Sequence, residues 1–571
     1  MGLHYGGASI SPEGGAAMRT YVRLGLLLAV AGVVFVGSAE TGPAAGSSEL
    51  CSFLASPAAR NVTWSFRWED YVSCGLAQPL LESTLALDPP PAAGPLASPG
   101  ADVRVNNPTG DTHPNETQND ATVAVKGNTV CVAYNDDVGG VGFARSVNRG
   151  AAFADQGSVS SSGDPVLTVE ADGHFALAHM RDGDDNGIPD QIAVSISEDD
   201  CQSFPVTYLA QQDAFIDKPW VAVDRTGGAY NGRIYACWTE FQVALSHIKF
   251  RRGIPFTNPI VDIRTGGADN LVQGCQVAVG KDGEVFVAWE EGADTSQAGS
   301  IWLRRSLDGG DTFQAAVKVH DLIHAADPAI TSCDFFGGAL GPVAHPIRIQ
   351  DFPSLAANPV NDDVYLVWNE RRSGNTDIVF YRSVNDGGSW ASMGVVNGVV
   401  SKDQFMPAVT AASDRAIKVQ WYDRRNDTEN NGQFVLYAAK STDRGVTFQE
   451  ELVADAPSGL DNFVPIVPPV CYMGDYNGLV ADTKDSFHVW GDNRDTAHDP
   501  PDRHLDPNVY FDWQSLSVPA GGIAELPDVA SHPGRAGGDN ALLVALAAAG
   551  AGVLAVGAWY ARRRFGSRRL E

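Results

Sequence analysis

The sequence predicts an all-β domain built from a repeated four-strand unit, followed by a C-terminal transmembrane helix. Three observations carry this: a turn sequence that recurs five times, an alternating strand pair that recurs seven times, and an uncharged apolar run from Ala541 to Tyr560.

The turn has the pattern S-x-D/N-x-G-x-S/T-F/W. It appears as Ser146-Val-Asn148-Arg-Gly150-Ala-Ala-Phe153, Ser306-Leu-Asp308-Gly-Gly310-Asp-Thr312-Phe313, Ser383-Val-Asn385-Asp-Gly387-Gly-Ser389-Trp390 and Ser441-Thr-Asp443-Arg-Gly445-Val-Thr447-Phe448. A fifth copy, Ser197-Glu-Asp199-Asp-Cys201-Gln-Ser203-Phe204, has cysteine in the glycine position. A short acid or amide side chain accepts backbone N–H groups across a tight turn. Glycine supplies the left-handed conformation, the hydroxyls add local bonds, and the aromatic residue packs beneath the hairpin. The strand pairs alternate with period two. They run from Thr122–Val125 with Val130–Tyr134, through five further pairs ending at Trp238, Trp289, Trp368 and Trp421 among others, to Leu479–Ala481 with Phe487–Trp490.

In these turns the chain resembles the sialidase-like (Asp-box, or BNR-repeat) superfamily, over residues 102–515. The resemblance implies a β-propeller of four-stranded blades, the turns joining the third and fourth strands. Six blades are expected from sialidases and seven from the count of strand pairs. The seventh unit lacks the turn, so its fourth strand is expected from Val103–Val105, which would close the ring and remove exposed edges.

The ends give the address. Arg19 and Arg23 precede an apolar run from Leu24 to Val36 and the small residues Gly37-Ser-Ala39, as in a secretory signal over residues 1–39. Residues 40–101 form an N-terminal segment and a Pro/Ala-rich linker, and 516–540 a second linker. The 541–560 run is long enough to span a bilayer, and the arginines of the 561–571 tail are a positive-inside signal. The propeller is therefore expected outside the cell on a single-pass anchor. Eight cysteines in an exported chain suggest disulfides, with Cys51 pairing Cys74. A formal charge of −29 disfavours nucleic acid as a partner.

Strand direction sorts residues onto faces. The repeated turns mark one face. Opposite them, the inner strands open at Asp120, Asp164, Asp217, Asp351, Asp403 and Asp475. The second strands close at Glu370-Arg371-Arg372, Asp423-Arg424-Arg425 and Asp492-Asn493-Arg494. One reading is a polar funnel that binds a ligand; the other is capping of backbone and pairing of each acid with an arginine in the next blade. The sialidase resemblance implies an arginine clamp for a substrate carboxylate, drawn from Arg372, Arg425 and Arg494 with Arg348 as alternate, beside Asp423. It also implies a tyrosine nucleophile, Tyr476 or Tyr422, activated by Glu370, with Asp475 as acid. The Arg-Ile-Pro motif that opens sialidase domains has only a loose echo, Arg348-Ile-Gln-Asp351-Phe-Pro353, in mid-chain.

Asp182-Gly-Asp184-Asp-Asn186-Gly-Ile-Pro-Asp190 places oxygen ligands at alternate positions around a glycine, which suits Ca²⁺; the alternative is a solvated acidic loop. His320, His324 and His345 lack the spacing of a metal site and read as surface histidines. Two functions follow: a surface propeller that binds and cleaves glycans, of exo-sialidase type, with glycan or glycoprotein as partner; or a non-catalytic protein-binding, adhesive or structural propeller.

Overall fold

A computed structural model describes Cys51, Cys74 and residues 101–516, leaving aside 110–117, 137–139, 185, 243–244, 268–269, 293–297, 328–329, 331–337, 342–345, 413–415, 430–431, 460–472 and 497–504. The signal segment, both linkers, the 541–560 run, the basic tail, Cys333 and Cys471 lie outside the described residues. Among the described residues no helix is long and apolar enough to cross a membrane.

Seven antiparallel four-stranded sheets follow one another along the chain. Blades 1 to 4 occupy 118–159, 163–211, 216–267 and 272–322, blades 5 and 6 occupy 354–395 and 404–452, and blade 7 begins at 478. Blade 7 takes its inner three strands from Gly478–Ala481, Asp485–Thr496 and Leu505–Ser515, and its outer strand from Val103–Arg104 at the other end of the domain. Val103 pairs with Phe511 and Arg104 with Tyr510. The Val105 N–H donates to the Val509 carbonyl at 2.8 Å, and Asn106 bonds Asn508 and Gln118. The ring is thus closed by segments about 400 residues apart, and the outer edge of the Leu505–Ser515 strand is paired at Tyr510 and Phe511.

The second strands of blades 3 to 7 carry Trp238, Trp289, Trp368, Trp421 and Trp490, all fully buried between blades. Each removes roughly 150–250 Å² from water, worth about 4–6 kcal/mol of apolar burial. These residues are why the inter-blade seams, rather than one central core, hold the disc together.

All five repeated turns lie between third and fourth strands, in blades 1, 2, 4, 5 and 6. In every turn the Ser hydroxyl donates to the Asp or Asn two residues on and accepts the N–H four residues on, and the Asp or Asn accepts a further backbone N–H; Ala152 of blade 1 has no hydroxyl to add. The Ser306 hydroxyl donates to Asp308 and accepts the Gly310 N–H at 2.8 Å, while Asp308 accepts both the N–H and the hydroxyl of Thr312. Burial works against it, yet the bonds from Ser306 and Thr312 hold the Asp308 carboxyl down at about 2. The turn also reaches the preceding blade: Phe313 meets Phe250 edge-on with centroids 4.9 Å apart, and Phe448 meets Phe380 at 5.1 Å. Gly445 sits at φ +80° where a Cβ would lie 2.3 Å from the Phe380 ring, so glycine is needed for both conformation and clearance. In blade 2, Cys201 accepts the left-handed conformation (φ 66°) and is bonded to Cys131 of blade 1. Cys237–Cys275 likewise joins blade 3 to blade 4, and Cys51 pairs with Cys74.

Candidate functional site

Five inner strands begin with a bulge in which one residue takes a left-handed conformation: Asp120, Asp164, Lys218, Gly274 and Met406, with φ between 49° and 68°. In blades 2, 3 and 6 the next residue is proline (Pro165, Pro219, Pro407), which has no N–H to give to a ladder and therefore fits a bulge. Phe352-Pro353 and Tyr476-Asn477 hold the corresponding places in blades 5 and 7, directly before Ser354 and Gly478. On the face opposite the repeated turns, the bulges bring Lys218, Gly274, Phe352, Met406 and Tyr476 of this series around one cavity.

Lys218 is the centre of the group. It is 5 % exposed, and its ammonium lies 3.4 Å from Asp475 Oδ2 and 4.2 Å from the centroid of the Tyr476 ring. The ammonium has no hydrogen-bond partner. Burial disfavours its charge, but Asp475, Asp120, Asp164 and Asp217 together outweigh burial and raise its pKa. Asp475 also receives Arg348 at 3.0 Å. Arg348 comes from a two-stranded hairpin (Gly338–Leu340 with Ile347–Ile349) in the connection between blades 4 and 5; Leu340, Ile347 and Ile349 are buried against Phe405, Tyr422 and Trp490 of blades 6 and 7. One insertion thus delivers a buried guanidinium across to blade 7.

The surrounding acids differ in state. Asp120 is committed: it accepts the N–H groups of Asp475 and Tyr476 and an amide proton of Asn135. Asp217 accepts Gln273. Asp164 is fully buried, neither of its carboxyl oxygens has a hydrogen-bond partner, and burial pushes its pKa well up; Asp217, Asp120 and Asp475 add to this and Lys218 opposes it. Tyr476 donates to the Pro165 carbonyl at 2.9 Å and meets Trp220 edge-on. Burial and the same four aspartates push its phenol well above the ordinary tyrosine range, which disfavours a phenolate nucleophile. Tyr422 is buried, bonded to Asn477 and the Gly491 carbonyl, and shifted the same way. A cavity opens here, lined by Lys218, Trp220, Phe352, Met406, Asp475 and Tyr476.

The structure therefore brings Asp475, Tyr476 and Arg348 together and leaves the other sequence-derived candidates elsewhere. Glu370 is held by the Trp368 indole N–H, by His320 at 3.3 Å and by Arg372 at 3.8 Å, and shares none of these partners with Tyr476. Arg372, Arg425 and Arg494 follow one rule. Each pairs with the carboxylate two residues before it, and that carboxylate accepts the indole N–H of the tryptophan two residues earlier still. Arg425 is further bound to Glu450 and lies over the Tyr437 ring; Arg494 binds Asp455 and Asp102 and lies over the Tyr510 ring. The forks of Arg425 and Arg494 are thus already engaged by carboxylates of the protein, and Asp423 serves Arg425 and Trp421. W-x-E/D-x-R is a blade-rim brace in these three blades.

The 182–190 loop is turned on itself. Asp182 accepts the N–H groups of Asp184 and Gly187, Asn186 accepts that of Ile188, and Asp190 that of Gly183. Asp184 stays exposed.

Sequence reasoning missed Lys218. Its signal was available: a residue followed by proline at the start of an inner strand, in register with Asp164 and Met406.

No protein-family profile and no curated protein matches the sequence. Solved structures with a similar course of chain include a PL25 ulvan lyase bound to -[GlcA(1-4)Rha3S]- (11% identity, 72% of this chain and 94% of that one, TM-score 0.40). Others are an α-L-arabinofuranosidase from Fusarium graminearum (10%, 72% and 97%, TM-score 0.35) and an α-L-arabinanase from Penicillium chrysogenum (11%, 64% and 99%, TM-score 0.37). Likeness at this level does not reach chemistry, and the chemistry of this chain rests on its own residues.

Proposed function

We propose that the protein is an exported propeller that binds neutral glycans at the channel mouth around Lys218. One observation carries the reading: a buried ammonium without a hydrogen-bond partner, set between a carboxylate and an aromatic ring at the wall of a cavity. A sugar offers hydroxyls that would accept from Lys218 and donate to Asp475, and C–H faces that suit Trp220, Phe352 and Tyr476. Four aspartates against Lys218 and Arg348 leave the group without surplus positive charge, which favours neutral sugars over acidic ones.

Cleavage is a second reading, favoured by the contrast between two acids. Asp164, driven toward its protonated form, would give a proton to the glycosidic oxygen, while Asp475, ion-paired with Lys218 and Arg348, would activate water or attack the sugar. Export is supported by three disulfides among the described residues, which suit an oxidising compartment, together with the N-terminal signal and the C-terminal anchor read in the sequence. The loop at Asp182, Asp184, Asn186 and Asp190 remains our candidate for Ca²⁺.

The test is a panel of neutral and acidic oligosaccharides, scored for binding and for turnover. Lys218→Met should weaken binding at least tenfold, as expected for a lost charge-assisted bond. Asp164→Asn should abolish turnover while sparing affinity. Wild-type affinity in a folded Lys218→Met protein would overturn the binding reading, and undiminished turnover in Asp164→Asn the catalytic one.

A further inference from the structure

A second group of buried ligating atoms lies at the junction of blades 4 and 5. Glu290 is at the end of the second strand of blade 4 (Val285–Glu291), His324 follows that blade's outer strand (Val317–Leu322), and Asp351 precedes the inner strand of blade 5 (Ser354–Ala357). His324 Nδ1 is 2.8 Å from Asp351 Oδ2 and 3.7 Å from Glu290 Oε1, and the three ligating atoms all fall within 4.8 Å of one another. A tetrahedral ion bonded at about 2.0–2.1 Å places its ligands about 3.3–3.4 Å apart, between those two distances.

Three further features point to a cation. Glu290 is 1 % exposed, yet its Oε2 has no hydrogen-bond partner. The buried Glu290 and Asp351 carboxylates offer ligand oxygens within 4.8 Å of one another, a like-charge pair that a bound cation neutralises. Asp351 is held from behind by the Asn369 amide at 2.6 Å and the Ala325 N–H, the kind of support that orients a metal's carboxylate ligand. The other compact trio among the described residues, Glu170, Asp172 and His174, spans five residues of one turn and has no such buried orphan atom.

We propose that Glu290, His324 and Asp351 form a zinc site: one imidazole and two carboxylates, with a fourth position for water. Imidazole favours zinc over the hard cations that carboxylates alone would select. The proposal stands apart from the glycan reading and from the 182–190 loop.

The experiment uses the full chain. Protein stripped with chelator is reloaded with Zn²⁺, gel-filtered, and assayed for metal by mass spectrometry. Loading with Co²⁺ is followed by its visible absorption. One zinc per chain is expected in wild type and in Asp184→Ala, with at least tenfold weaker retention in Glu290→Gln and His324→Ala. The cobalt band should require His324. Glu290→Gln matches the protonated acid in shape, so it tests the site even if His324→Ala fails to fold. Wild type without stoichiometric zinc, or Glu290→Gln retaining it with wild-type affinity, overturns the proposal.

Discussion

Asp308→Ala should lower stability by about 1–2 kcal/mol, by analogy with lost helix caps, without affecting any ligand. The variant removes the acceptor for Ser306, for the Thr312 N–H and for the Thr312 hydroxyl at once. Asp308→Asn is the informative companion, because Asn148 and Asn385 already fill the same place in blades 1 and 5 and accept the corresponding N–H groups. It keeps an acceptor and loses the charge. A carboxyl held at about 2 instead of 3.8 would be worth at most about 2.4 kcal/mol; solvent screening at this open turn reduces that to about 1 kcal/mol. The sign follows from the depressed pKa: this contribution is complete above about pH 4 and is lost as pH falls through 2. Thermal unfolding of wild type and Asp308→Asn at pH 7 and pH 3 measures it. The gap should be about 1–2 °C at pH 7 and roughly half as large at pH 3. A gap that stays constant with pH, or an Asp308→Ala protein as stable as wild type, would refute the reasoning.

Removing residues 101–105 strips the outer strand from blade 7 and exposes Leu505–Ser515 as an edge; the melting temperature should fall further than for any single turn variant, with oligomers on gel filtration. If the truncated protein stayed monomeric and as stable as wild type, the closure would have no energetic role. Deleting residues 541–571 should release a folded propeller into the medium, and retention on membranes would dispose of the single-anchor reading. Calcium chelation should lower thermal stability, and Asp184→Ala should abolish that response; a wild type indifferent to a calcium-selective chelator would leave the loop merely acidic.

The disc was legible because its information is periodic. Each repeated turn satisfies its own bonds locally, so Ser, Asp, Gly and the aromatic residue are written within eight positions, and alternation marks the strands between them. Closure by Val103–Val105 could be read from one missing strand. The site was only partly legible, for physical reasons. Pairing of the rim acids with arginines is one of the two readings the sequence allows, but the sequence does not show that Arg372, Arg425 and Arg494 are each braced by the acid two residues earlier, within their own blade. Lys218 had a signal in the proline after it and its register with Asp164, but its contact with Asp475, at the entry to blade 7, has none. Nor does spacing disclose His324: it was read as a surface histidine, but it lies against Asp351, and its other neighbour Glu290 is 34 positions away in sequence. Contacts made across blade seams have no short-range signature.

The most direct test of the account is a crystal structure of the propeller with a neutral oligosaccharide taken from the binding panel. The sugar is expected at the channel mouth, one hydroxyl within hydrogen-bond distance of Lys218 Nζ and another of Asp475, with a ring face against Trp220 or Tyr476. A sugar held instead at the Arg372, Arg425 and Arg494 rim, or on the face of the repeated turns, would contradict it.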